Sequence, residues 1–239
     1  VLFRGRIHYT SRKPDRFGHE RGREWFTIDV ADDGWRTLHT HCEIDDAPRV
    51  LRHVTLSVDP GWLPREAHVR VAVDGRRVGS SWYRFHDDLA ECEGDTAAEG
   101  RRSQRIRLDA PLRGLVTHPI QGDAWLCSAY PLAEGPGTRT MRFLTTSHDH
   151  RGATGPALLK DVTDWTFVGR ERVEVAAGTF DALHFSLGSL DTWGPEDLAR
   201  HPPYHMWVTA DGNYVFLRAY VEGYMQTHYE LTELEVRGR

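Results

Sequence analysis

Along most of this chain polar and apolar residues alternate with a period of two, the signature of half-buried strands and not of helices. His68-Val69-Arg70-Val71-Ala72-Val73 begins in alternation and runs into Asp74-Gly75, a pair that tolerates the positive φ angles of a two-residue hairpin turn before a second strand over 76–85. The same logic predicts a hairpin of 205–209 with 214–221 around Asp211-Gly212, and a third of 163–175 with 180–189 around Ala177-Gly178-Thr179. Further strands are expected at 2–9, 24–30, 35–44, 50–58, 102–109, 138–147 and 224–236. Helical signals are confined to 121–130, after Pro119, and to one turn at 195–200, after Gly194.

About a dozen strands must close into a barrel or pack as two sheets, because open edges invite aggregation. The fold expected is all-β: one domain over 1–239, a strongly curved antiparallel sheet forming a closed or nearly closed β-barrel, with one or two short helices and a lumen at one end. The strand count alone fits a sandwich as well.

Composition narrows the function classes. The chain has 239 residues and is 39% hydrophobic. A domain of that size buries enough surface to fold without disulfides or metal. A net charge of −5 gives no footprint for general nucleic-acid binding, and no apolar run is long enough to span a membrane. Residues 1–6 carry no apolar core with a cleavage site, although a chain that opens on Val1 is compatible with trimming of a longer precursor. Cys42, Cys92 and Cys127 are odd in number and far apart, which argues against a disulfide framework and for a reducing, cytoplasmic setting. Lys13 and Lys160 are the only lysines, so Schiff-base chemistry has two side chains to draw on. The 14 histidines stand out more, since imidazole titrates near neutrality.

The stretch Val173-Glu174-Val175-Ala176-Ala177-Gly178-Thr179-Phe180-Asp181 resembles a Val-x-Val-x-Ala-Gly-Thr-Phe-Asp hairpin of bacterial calycin-like (lipocalin-style) β-barrel domains of unknown function. In that family a Trp-bearing strand and a final strand follow, as Met206-Trp207-Val208-Thr209 and Tyr229-Glu230-Leu231 do here. The likeness covers mainly the C-terminal third. It implies a fold and an apolar ligand, and transfers no catalytic residue.

Side chains two apart on a strand share a face, and three rows follow from that spacing. His205 with Trp207, Tyr214-Phe216-Arg218-Tyr220-Glu222, and Tyr224-Gln226-His228-Glu230 would lie side by side on neighbouring antiparallel strands. A pocket needs this mixture of aromatic area and a few polar groups, and an ordinary half-exposed sheet face offers it too. Asp191-Thr192-Trp193-Gly194 and His201-Pro202-Pro203-Tyr204 bracket a loop where substrate contacts would gather; the plainer account is that the prolines fix the path and the polar residues cap turns. The expected catalytic set is Asp191 or His205 as general base, Tyr204 or Tyr224 as proton donor, and His228. The expected binding set is Tyr83, His86, Trp193, Trp207, Tyr214, Phe216 and Arg218. His39, His41 and Glu43 share one strand face and form a weak metal alternative to a polar outer surface. His148-Asp149-His150 reads as a loop with metal-ligand chemistry or as a solvated turn.

No Gly-x-Ser-x-Gly, Walker A, Gly-x-Gly-x-x-Gly or His-Glu-x-x-His motif is present, which removes support from hydrolase, kinase and nucleotide-redox readings. The expectation is therefore a lyase, hydratase or isomerase that needs no cofactor and acts by acid–base catalysis on a small hydrophobic molecule. The alternative is a non-catalytic carrier of an apolar ligand. Nucleic acid and membrane are not expected partners, and homo-oligomerisation is left open.

Overall fold

The computed structural model describes residues 1–188 and 201–238. Alternation sets the strands: in Val50–Val58, Val50, Arg52, Val54 and Leu56 are buried while Leu51 and His53 are exposed. The strands are β1 Leu2–Ser11, β2 Glu20–Val30, β3 Arg36–Ile44, β4 Val50–Val58, β5 Pro64–Val73, β6 Arg76–Phe85, β7 Leu89–Thr96, β8 Gly100–Arg107, β9 Leu115–Val116, β10 Gly137–Thr145, β11 Leu159–Val175, β12 Gly178–Leu187, β13 Tyr204–Thr209, β14 Phe216–Val221 and β15 Thr227–Arg237. They form one 15-stranded sheet in the order β8-β7-β6-β5-β4-β3-β2-β1-β15-β14-β13-β12-β11-β10-β9. Every pair is antiparallel except β9 with β10. The two ends of the chain meet in the middle, Leu2 opposite Arg237 and Ser11 opposite Thr227.

Closure of the sheet into a strongly curled barrel is the expectation that fails. The edge strands β8 and β9 do not pair, so the sheet is open. The connection between β8 and β10 lies inside the fold. Its Leu112, Leu115, Ile120, Ala124, Trp125, Leu126, Cys127 and Tyr130 join the core formed by both halves of the sheet. The segment after β10 is tied to the inner face of β6 and β8: the Tyr83 hydroxyl donates to Ala157 O at 3.0 Å, and the Gln104 amide both donates to Leu158 O (3.2 Å) and accepts from Leu158 N (2.9 Å). The free edge β8 exposes Arg101, Arg105 and Arg107, charges that discourage edge-to-edge pairing.

Asp74 and Gly75 take φ of 50° and 76°, and Val73 pairs with Arg76. Both angles fall in the left-handed region that a type I′ turn requires. The Asp211-Gly212 connection is longer than expected, since β14 begins only at Phe216. The Asp211 carboxylate accepts from Thr209 Oγ1 (2.7 Å) and Asn213 N (3.0 Å), building a loop of its own. The helix expected over 121–130 is α1, Ile120–Ala124, followed by 3-10 turns over Trp125–Ala129. It stops at Tyr130, which precedes Pro131 and is extended at φ −74°, ψ 133°. The turn expected at 195–200 lies outside the described residues. Among the described residues no helix is long and apolar enough to cross a membrane.

Candidate functional site

Glu24 sits in phase with Phe26 and Ile28 on the buried face of β2 and has no exposed surface. Its carboxylate accepts from the Tyr9 hydroxyl at 2.7 Å, from Ile120 N at 2.6 Å and from Gln121 N at 3.1 Å. The Gln121 side chain extends the tie, donating to Tyr214 O (3.1 Å) and accepting from Phe216 N (2.9 Å). These bonds lock the start of α1 against both halves of the sheet. Burial pushes the Glu24 carboxyl up to about 7, against the three donors that favour its charged form.

One turn further on, α1 presents Asp123. Burial, and then the negative charge of Glu24, raises its carboxyl to about 7. Its Oδ1 accepts from His118 N at 3.3 Å. His118 Nε2 lies 3.2 Å from Ser147 O. A carbonyl only accepts, so Nε2 carries the proton and Nδ1 is the basic nitrogen. Burial, reinforced by the Arg52 charge, holds His118 well below the ordinary histidine range. His201 is lowered by burial to about 4, and its Nδ1 donates to Pro202 O at 2.6 Å. His150 packs on His201 with ring centroids 4.9 Å apart and meets the Tyr224 hydroxyl at 2.7 Å from Nδ1.

These groups border two adjacent cavities. The larger, about 340 Å³, is lined by Val116, Leu126, Phe143 and Trp165 on its apolar side and by Thr145, Ser147, His148, Asp161, Thr163 and Asp164 on its polar side. The smaller, about 70 Å³, is bounded by Tyr9, Cys42, Arg21, Arg52, Arg151 and Tyr229 among others. His118, Asp123, His150, His201 and Tyr204 line both. Arg52, 1% exposed, donates from its guanidinium to Thr117 O (2.7 Å) and to Gly152 O.

Of the residues expected from sequence, Tyr204 is on this shared wall and Tyr224 reaches it through His150. Asp191 and Trp193 lie outside the described residues. His205, Trp207, Arg218 and His228 are placed on the opposite face of the sheet from Tyr204, Val221 and Tyr229, which line the smaller cavity. The rows form in part: His205, Tyr220 and His228 are cross-strand neighbours, as are His184, Trp207, Arg218 and Glu230, whereas a register shift after Trp207 pairs Phe216 with Val208, and Tyr214, Glu222, Tyr224 and Gln226 lie outside the strands. On that outer face His205 stacks on Tyr220 at 4.8 Å, Arg218 lies 4.4 Å over Trp207, and the Trp207 indole donates to Glu171 at 2.6 Å. Tyr83 and Phe216 are core residues with no exposed surface. Tyr214, at φ 49°, packs edge-on against Trp62 with ring centroids 5.0 Å apart. His86 is exposed, 3.5 Å from Glu91.

The weak metal alternative gains nothing from the structure. His41 Nε2 bonds Glu43 at 2.9 Å while His39 Nδ1 bonds Thr55 at 3.1 Å, and among the described residues no group of three His, Cys, Asp or Glu side chains could hold a metal ion. Sequence reasoning singled out the neighbourhoods of His150 and His201 and passed over His118, Asp123, Glu24 and Arg52. A signal existed for two of these, because Glu24 and Arg52 occupy apolar phases of their strands.

No family model and no curated protein matches the chain. Similar solved structures exist. A beta-barrel-like protein of the domain of unknown function DUF1849 from Brucella abortus superposes with a TM-score of 0.60 at 11% identity, covering 100% of this chain and 98% of that one. A DUF1089 family protein from Pseudomonas aeruginosa gives 0.45 at 12% identity over 81% and 87% of the two chains. The first likeness shows a beta-barrel-like all-β fold. It spans the whole chain, where the sequence resemblance was confined mainly to the C-terminal third.

Proposed function

We propose that the protein is an enzyme acting without an organic cofactor, a lyase, hydratase or isomerase that moves a proton on a small molecule held in the larger cavity. The observation that carries this reading is the wall of His118, Asp123, His150, His201 and Tyr204, where carboxyl, imidazole and phenol groups meet inside the fold. A general acid or base works best with a pKa near the operating pH. Asp123, at about 7, is present in both forms at neutrality. His118 offers a neutral Nδ1 as acceptor. Burial holds the Tyr204 phenol protonated, so it can donate a hydrogen bond to developing negative charge. Phe143, Trp165, Leu126 and Val116 supply apolar area for the body of the substrate.

That apolar side also favours the second reading, a carrier that binds the same molecule without turnover. Exchange of solvent deuterium into the ligand separates the two. Small molecules that copurify with the protein would be identified by mass spectrometry and incubated with it in D2O, and C–H exchange followed by NMR. An acid–base enzyme exchanges a carbon-bound proton, and Asp123→Asn slows that exchange roughly 10²-fold or more, the usual contribution of a positioned proton-transfer group. Binding with no exchange in the parent protein would leave the carrier.

A further inference from the structure

The smaller cavity contains a charge without a counter-charge. Arg52 is 1% exposed, and its direct partners, Thr117 O and Gly152 O, are neutral carbonyls. Its Nε is buried with no hydrogen-bond partner, and among the described residues the carboxylates act on it only through longer-range charge, with no side-chain hydrogen bond. The acidic groups whose charge it feels are Cys42, Tyr83, Asp123 and Asp149; of the two carboxylates, Asp149 Oδ1 accepts from Arg151 N and Ala153 N, both at 2.9 Å, and Asp123 Oδ1 accepts from His118 N. A buried cation costs several kcal/mol of desolvation by order of magnitude unless an anion or a full set of acceptors answers it. Arg21, already paired with Asp46, and Arg151, donating to Ala47 O at 2.6 Å, line the same space.

We infer that this cavity is an oxyanion site, and that Arg52 holds the carboxylate or phosphate group of a substrate whose body occupies the larger cavity. The volume of about 70 Å³ suits one such group, not a whole ligand. A guanidinium is the side chain best matched to carboxylate and phosphate oxygens. Asp123 in its acid form would stand beside the bound group as a donor instead of a repelling charge. The inference names the substrate class for the proposed pocket and rests on the reading that the pocket takes a ligand.

Calorimetric titration of the whole protein with inorganic phosphate and, separately, with formate, at fixed ionic strength in chloride, tests the site and tells the two oxyanions apart. Saturable heat with one of them, weakened about tenfold or more in Arg52→Lys, supports the inference; the loss expected is that of a fork-shaped contact replaced by a point charge. No saturable heat with either, or equal affinity in Arg52→Lys, overturns it. If Arg52→Lys does not fold, a selenate-soaked crystal of the parent protein decides: anomalous density within ~4.5 Å of the Arg52 guanidinium, one Se–O bond behind the oxygens it would hydrogen-bond, supports the site, and its absence there refutes it. Anion binding without deuterium exchange sinks the enzymatic reading alone, while exchange without anion binding sinks this inference alone.

Discussion

The Glu24 carboxyl group on β2 accepts the backbone N–H of Ile120 at 2.6 Å, so a buried acid in the sheet holds the start of the helix that carries Asp123. The two acids are coupled through this arrangement, and the charge of Glu24 helps raise the pKa of Asp123. Burial ties the proton on Glu24 to stability. The folded carboxyl titrates near 7 against an ordinary value of 4.5, so between those limits the folded protein holds a proton that the unfolded chain lacks. That contribution is full below pH 4.5 and lost as pH rises through 7. Glu24→Gln abolishes the titration. The difference in unfolding free energy between variant and parent should therefore shift in the variant's favour from pH 5 to 7.5 and then level off, as measured by urea unfolding at a series of pH values. A difference that stays constant would show that Glu24 does not titrate in this range.

His201 gives a slope of the opposite sign. Its folded pKa of about 4 lies below the ordinary 6.5, so in that window the unfolded chain takes a proton that the folded protein refuses. Its contribution is present above pH 6.5 and lost as pH falls through 4. His201→Asn keeps a donor for Pro202 O and removes the titration. The variant should lose less stability than its parent between pH 6.5 and 4.5, followed by the same urea series; a matching loss in both would contradict the shift.

Tyr83 anchors the interior segment to the sheet through a single hydroxyl, which donates to Ala157 O at 3.0 Å. Tyr83→Phe keeps the ring packed and leaves that carbonyl without its donor. The expected cost is about 1–2 kcal/mol, the range for losing one hydrogen bond and leaving a buried group unpaired. Chemical denaturation reads it directly, and a neutral substitution would mean that water replaces the hydroxyl.

Most strands were legible because alternation is local: Val50, Val54 and Leu56 announce β4, and Asp74-Gly75 announces the turn between β5 and β6, whereas β7, Leu89–Thr96, and the two-residue β9 were not expected. The residues around the cavities were not legible, for two different reasons. Glu24 and Arg52 stand in phase with apolar neighbours, a mismatch that marks a buried charge, yet only the fold reveals that Ile120, Thr117 and Gly152 answer them. Asp123 and His118 carry no phase signal at all. They lie in a connection whose path is set by tertiary packing, with His118 held at φ 74°. The strand rows of His205, Trp207, Arg218 and His228 were read with the right neighbours, but which face of a sheet turns inward depends on where the connecting segment lies. Alternation fixes two faces without saying which one is covered.

That ambiguity yields the most discriminating experiment on the site. His205 and His228 lie across the sheet from the cavities, so neither ring can touch a molecule bound beside Asp123. His205→Asn and His228→Asn should leave deuterium exchange into the ligand within about twofold of the parent rate, a change smaller than ~0.5 kcal/mol in the barrier. His118→Asn removes the basic Nδ1 on the shared wall and should slow exchange roughly 10²-fold or more. Thermal unfolding of all three variants controls for stability. Should the outer-face variants lose exchange while His118→Asn keeps it, the chemistry belongs to the row of His205, Tyr220 and His228, and the cavity wall is only packing.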